Sequence, residues 1–236
     1  MKIAVITAIY GGCDTLKEWV RQDIPCDFYC FSDTVFQPEK SMWKVIREPY
    51  HLNSEYALTP AFAKSNIRAK YYRMQGHKIP MLANHDCLLW VDASMRGGNP
   101  VFVSDMVNYA GEMFALYTHP SRECAYAEAV FSAGIPKYKT EPLIDQIAAY
   151  RAAGLPENYG LWATGVIPRT VNPLTNKIFD DWFSECVSWS IQDQVSLPYV
   201  LWKNGMTPNN IPGNIYFNDY HRRKNHCPGY EELGKK

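Results

Sequence analysis

The run Leu88-Leu89-Trp90-Val91-Asp92 constrains the fold more than any other part of this chain. Four apolar residues in succession leave no polar face for solvent. They read as a strand buried on both sides, the pattern of a parallel sheet. The run then stops on a carboxylate. Two other segments behave in the same way. Lys2 to Ala8 is apolar and β-branched and ends at Tyr10-Gly11-Gly12, and Asp27 to Ser32 is followed by Asp33. Trp43 to Ile46 reads as a third short strand. Between these, Asp14-Thr15 cap a short helix through Val20, and Pro60 to Gln75 has helical spacing with a basic face of Lys64, Arg68, Lys70 and Arg73. Alternation of this kind predicts an α/β domain, a mostly parallel central sheet flanked by helices.

The second half continues the pattern less regularly. Ala115 to Tyr117 reads as a strand and Leu161 to Pro168 as strand-like. Glu123 to Ser132, Glu141 to Ala153, Asn176 to Ser190 and Asp193 to Lys203 read as helices. Asn209 to Tyr230 is polar, aromatic and rich in His and Arg. No internal repeat or linker divides the chain, so residues 1–236 are expected to form one domain. Residues to about 95 would make a nucleotide-binding half, and the rest an acceptor half with a tail.

Composition narrows the function. The chain has 24 Lys+Arg against 24 Asp+Glu, a formal charge of zero. That argues against wholesale binding to nucleic acid or membrane surfaces, which needs excess positive charge. No stretch of 18 apolar residues is present, so no membrane span is expected. The apolar run at the N-terminus is shorter than a signal peptide's and reads as a buried strand. The cysteines number 7 and form no CxxC pair. They are expected to be reduced thiols in a cytoplasmic protein.

Open α/β sheets bind ligands outside the carboxyl ends of their strands. Three such ends carry polar or glycine residues: Thr7 to Gly12, Asp33, and Asp92 to Ser94. Asp92 and Ser94 lie two residues apart, on one side of an extended chain. An oxygen pair of this kind can hold a hard divalent cation, or Asp92 can simply cap the turn. Lys70, Arg73 and His77 recur at spacings of three and four, which puts them on one helix face suited to a phosphate donor or to solvent. Arg122, Glu123, Tyr126 and Glu128 follow His119-Pro120, and Gln192-Asp193-Gln194 precede an apolar helix. Such groups bind sugar hydroxyls, and they also cap helices. His221, Arg222, Arg223, Lys224 and His226 cluster near the C-terminus. No HExxH, GxSxG or GxxxxGK[ST] occurs, which disfavours a zinc hydrolase, a serine hydrolase elbow and a P-loop.

Taken in order, these segments resemble the glycosyltransferase-like family of plants and bacteria long labelled domain of unknown function 616. The matching pieces run from Ile3–Gly12 with Asp14, through Tyr29–Asp33, Lys70, Arg73, His77 and Leu89–Asp92, to His119–Glu128, Gly165–Arg169 and Asp193–Tyr199. More distantly the pattern is similar to glycosyltransferase family 8. That resemblance implies a GT-A fold, a UDP-sugar donor, and Mn²⁺ or Mg²⁺ on an Asp-x-Asp pair with a later His. Asp92 matches the first Asp, Ser94 stands where the second would be, and His221 is the later His, with His226 as substitute. Thr7, Ala8, Tyr10 and Asp33 would hold the nucleoside, with Lys70 and Arg73 near the diphosphate. Asp193 and Gln194 would be the catalytic pair beside the sugar. His119, Glu123, Tyr126 and Gly165 would bind sugar or acceptor. The implied activity is metal-assisted, retaining hexosyl transfer to a carbohydrate or glycoconjugate. Three other readings compete: a sugar- or nucleotide-binding module without turnover, a metal-dependent hydrolase of an amide or lipid, and a transferase acting on DNA, which the zero net charge disfavours.

Overall fold

A computed structural model describes residues 1–218 and 220–223, the last two by their backbone alone. Lys224, His226 and Cys227 lie outside the described residues. The strands are β1 (Ile3–Ile9), β2 (Asp27–Ser32), β3 (Trp43–Ile46), β4 (Cys87–Val91), β5 (Met95–Gly97), β6 (Ala115–Thr118), β7 (Trp162–Ala163), β8 (Val166–Thr170), β9 (Asn209–Asn210) and β10 (His221–Arg223). The helices are α1 (Ser65–Met74), α2 (Phe102–Ala110), α3 (Ala125–Ala133), α4 (Leu143–Ala152), α5 (Pro173–Ser188) and α6 (Asp193–Lys203).

The main sheet has five strands in the order β3-β2-β1-β4-β8. The first four run parallel, and β8 runs antiparallel along β4. The α/β class with a mostly parallel sheet and flanking helices is therefore as the sequence predicts. β1 lies at the centre, with Val5 opposite Phe28 on one side and Leu89 on the other. Its alternation divides the core. Ile3, Val5 and Ile9 face a layer containing Phe102, Val103 and Met106 of α2. Ala4, Ile6 and Ala8 face a layer with Ile67, Tyr71 and Met74 of α1 and Trp182 and Phe183 of α5. Both faces of the sheet are thus covered, which is why its strands read as unbroken apolar runs. Two small sheets, β7-β6-β9 and β10-β5, extend the carboxyl end.

The helix expected over residues 14–20 does not form; that stretch is irregular. Its polar groups have better partners elsewhere. Val20 N donates to Gly97 O at 3.2 Å, and Lys17 O accepts from Trp43 Nε1 at 3.0 Å. Trp19 packs where a side chain at position 97 would stand, since a Cβ on Gly97 would come within 1.8 Å of its ring. Tertiary contacts here outweigh a weak local propensity. Pro60–Ala63 is a separate 3-10 turn ahead of α1. The strand-like stretch from Leu161 to Pro168 is split at Thr164-Gly165 into β7 and β8. α2 is an element the sequence reading does not include: Phe102, Val103, Met106 and Ala110 form one buried stripe between Pro100 and Gly111. The six described cysteines are all unpaired. No helix among the described residues is long and apolar enough to cross a membrane.

Candidate functional site

A cavity of about 260 Å³ opens at the carboxyl ends of β1 and β4. α1 supplies one wall. Its apolar residues Ile67, Tyr71 and Met74 turn into the core, and Lys70 and Arg73 lie one residue behind them. The expected basic face therefore divides. Lys64 pairs with Glu141 at 2.5 Å and Arg68 Nε donates to Phe62 O at 2.8 Å, both away from the cavity. Lys70 and Arg73 are carried inward and line it.

Four charges meet there. Arg73 Nη2 donates to Asp92 Oδ1 at 2.7 Å, and Arg73 Nη1 donates to Asp193 Oδ2. Lys70 Nζ lies 3.0 Å from the same Asp193 oxygen. Arg73 Nη1 also reaches Thr164 Oγ1 at 3.3 Å, and its guanidinium stacks over the Trp90 ring at 4.8 Å. Trp90 Nε1 donates to Asp92 Oδ1 at 2.8 Å. Burial opposes the charge on Asp193, yet Lys70 and Arg73 outweigh it and hold the carboxyl below its ordinary range. Burial likewise works against Arg73, and Asp193 and Asp92 more than compensate. Lys70 is the exception: burial lowers its pKa despite Asp193. Lys137, on the 3-10 turn Pro136–Tyr138, adds a third positive influence on the cluster.

Asp193 opens α6 and is 4% exposed. Its backbone O accepts from Trp182 Nε1 at 3.0 Å, which fixes the start of the helix against α5. Gln194 is fastened by Nε2 to Trp162 O at 3.1 Å. Asp92 N donates to Gly165 O at 2.8 Å, so the end of β4 is tied to the turn before β8. A Cβ on Gly165 would meet Asp92 Oδ2 at 3.2 Å and Met95 Cε at 3.0 Å, so a side chain here would push both side chains aside by a few tenths of an ångström.

The structure thus gathers Ala8, Lys70, Arg73, Asp92, Ser94, Gly165, Asp193 and Gln194 around one cavity. Other expected residues lie elsewhere. Thr7 points to the α2 side of β1, buried, and its Oγ1 has no partner. Alternation along the strand forces this once Ala8 faces the cavity. Tyr10 is also buried and donates its hydroxyl to Tyr72 at 2.7 Å, beside His51. Asp33 is exposed and accepts from Gly11 N at 3.0 Å, holding the glycine turn instead of lining the cavity. His77 ends in a 3-10 turn, its Nε2 3.0 Å from Asp180 Oδ1 without the alignment of a hydrogen bond.

His119, Glu123 and Tyr126 do not line the cavity either. His119 Nδ1 accepts from Arg122 N at 3.0 Å, and Tyr126 donates to Leu155 O at 2.7 Å. Glu123 is exposed. Beside them Glu128 is sealed in, taking Arg122 Nε, Ser132 Oγ at 3.0 Å and Gln192 Nε2 at 2.8 Å. This network holds Gln192, which does line the cavity, against α3. Sequence reasoning missed Tyr138, Lys137 and Asn66 as lining residues. Nothing in their local pattern marks them, because distant packing brings them there.

The divalent ion expected on Asp92, Ser94 and His221 needs several oxygen or imidazole donors around one point. The residues present do not fit that need. Asp92 Oδ1 is already shared by Arg73 and Trp90 on the α1 side of the sheet. His221 lies in β10 opposite Gly97 and packs edge-on against Phe102 and Tyr117, on the α2 side. Burial there pushes its pKa down to about 4, and its Nδ1 has no partner. Among the described residues no group of three His, Cys, Asp or Glu could hold a metal ion.

A cluster of paired cations and carboxylates at strand ends suits recognition of an anionic ligand with hydroxyl groups. The carboxylates can take hydroxyls, and the cations can take phosphate. The comparison with known families agrees with that chemistry. No curated protein matches the chain significantly. Residues 1–226, nearly its whole length, match a family described as TOD1/MUCI70, glycosyltransferase-like domain, and to that glycosyltransferase-like family the chain belongs.

Proposed function

We propose that the protein transfers a sugar from a nucleotide-sugar donor, a UDP-sugar in the first instance, to a carbohydrate or glycoconjugate acceptor, on a fold of GT-A type. The observation that carries this reading is the cluster of Lys70, Arg73, Asp92 and Asp193 lining a cavity at the strand ends. Lys70 and Arg73 meet the diphosphate, whose growing charge is the main electrostatic demand of the reaction. Asp193 and Gln194 face the transferred sugar, where a carboxylate favours the positive charge that develops at the anomeric carbon. The acceptor hydroxyl oxygen bonds to that carbon as the bond from carbon to diphosphate oxygen breaks. The electron pair leaves with the diphosphate, and the acceptor proton passes to a phosphate oxygen. Tyr138 and Tyr216 also line the cavity, aromatic residues of the kind that packs on sugars. The resemblance to family 8 adds retention of configuration, read out by the anomer formed.

Incubation with a panel of UDP-sugars, following UDP release and glycosylated product, tests the reading. Turnover that falls on the order of a hundredfold in Asp193→Asn supports it. UDP bound with no donor consumed replaces it by a binding module. The hydrolase reading has less support, because no described histidine lines the cavity beside Asp92. A DNA acceptor would show as DNA binding that weakens steeply with salt.

A further inference from the structure

This inference rests on the donor-site reading above and concerns how that site meets the donor's negative charge. Arg73 joins carboxylates from two separate elements, Asp92 beyond β4 and Asp193 at the start of α6. A divalent ion does the same work where two carboxylates close a diphosphate pocket. Here the charges already balance, Lys70 and Arg73 against Asp92 and Asp193. An entering Mn²⁺ finds Asp92 Oδ1 already accepting from Arg73 Nη2 and Trp90 Nε1. The one remaining oxygen of that carboxylate is far short of the six or so donors a divalent ion takes. Ser94 and His221 offer no second carboxylate in return.

An entering diphosphate finds the opposite situation. Among the described residues Arg73 Nε is a buried donor without an acceptor. Lys70 Nζ carries three N–H groups and meets one carboxylate oxygen. We propose that Arg73 and Lys70 are the resident cations of the donor site and take the place of a divalent ion, so that a nucleoside diphosphate binds here without metal. Arg73 both fixes the two carboxylates and neutralises the phosphates. The guanidinium suits this double task because its planar fork holds several oxygens at once.

Two titrations on the full chain test it. The first adds Mn²⁺ alone to the wild type and to Asp92→Asn. The second adds UDP in EDTA and in Mn²⁺, to the wild type and to Arg73→Lys, with a thermal melt of each variant to show that it is folded. Expected are no saturable uptake of Mn²⁺, UDP affinities within about threefold of each other in the two buffers, and a loss of at least about tenfold in folded Arg73→Lys. Saturable Mn²⁺ uptake that Asp92→Asn removes overturns the proposal. So does UDP binding that weakens more than about tenfold in EDTA. If UDP binds in neither buffer, the donor reading itself fails, and the Mn²⁺ titration alone decides whether Asp92 is a metal ligand.

Discussion

Arg73 and Arg169 are both buried arginines, yet their surroundings differ in kind. Arg73 stands between two carboxylates, which hold its charge against the cost of burial. Arg169, on β8, is 1% exposed and has no carboxylate in hydrogen-bond reach among the described residues. Its partners are Met74 O and His77 Nδ1, each at 3.4 Å, and the face of Phe179 at 4.2 Å. Burial therefore dominates and pushes its pKa down to about 10, still charged at neutral pH. One arginine lines the cavity and joins two carboxylates across it, and the other fills a corner of the core. Identical side chains thus differ in setting according to which anions the fold brings to them.

That contrast can be broken by mutation, and the largest effect is expected at Arg73. Arg73→Met takes the guanidinium from the partly exposed Asp92 and leaves the buried Asp193 to Lys70 alone, and should cost about 3–4 kcal/mol of stability in urea unfolding. Next comes the acid limb. A histidine whose folded pKa lies below its unfolded value binds fewer protons when folded, so stability rises with pH between the two values. For His221 the window runs from about 4 to the ordinary 6.5. Its contribution is present above 6.5 and is lost as pH falls, by about 3 kcal/mol at most. His221→Phe keeps the ring contacts and should flatten that limb in a series of unfolding curves. His51, His77 and His119 are shifted in the same direction and keep a residual slope.

Arg169→Met should cost only about 1 kcal/mol, because an apolar chain of similar length can replace a weakly partnered cation. A loss equal to that of Arg73→Met would erase the distinction drawn here. The smallest effect is expected at Gly165→Ala. Its added methyl meets Asp92 Oδ2 at 3.2 Å, so it should reduce UDP-sugar turnover about threefold while the melting temperature changes little.

Much of this molecule could be read from the chain. Strands β2, β3 and β4 lie where their apolar runs place them, and α6 spans the residues expected of it. Lys70, Arg73 and Asp92 could be named as candidates from a helix face and a strand end, and Asp193 from the resemblance to family 8; all four line the cavity. Their pairing could not be read. Spacings of three and four say which side of α1 carries the cations, and say nothing about a carboxylate 120 residues later. Thr7 illustrates a different limit. Composition marked the strand end as polar, and only the alternation shows that Thr7 and Ala8 cannot both face the ligand. His119, Glu123 and Tyr126 have suitable side chains in a segment that packs against α4 and Gln192 instead. Residue type carries chemistry, and long-range packing decides where it is used.

The distance along the chain between Arg73 and Asp193 also governs how the protein is made. At about 5–20 residues per second, the ribosome adds Asp193 on the order of ten seconds after Arg73. Through that interval Lys70 and Arg73 have only the nearer partners that residues already synthesised can give them. The cavity closes only once α6 has been made, so its charge balance waits on a segment far from α1 along the chain. The first 95 residues expressed alone should then carry two cations on α1 with a single one of their carboxylates, a ligand site that does not outlive its separation from the rest.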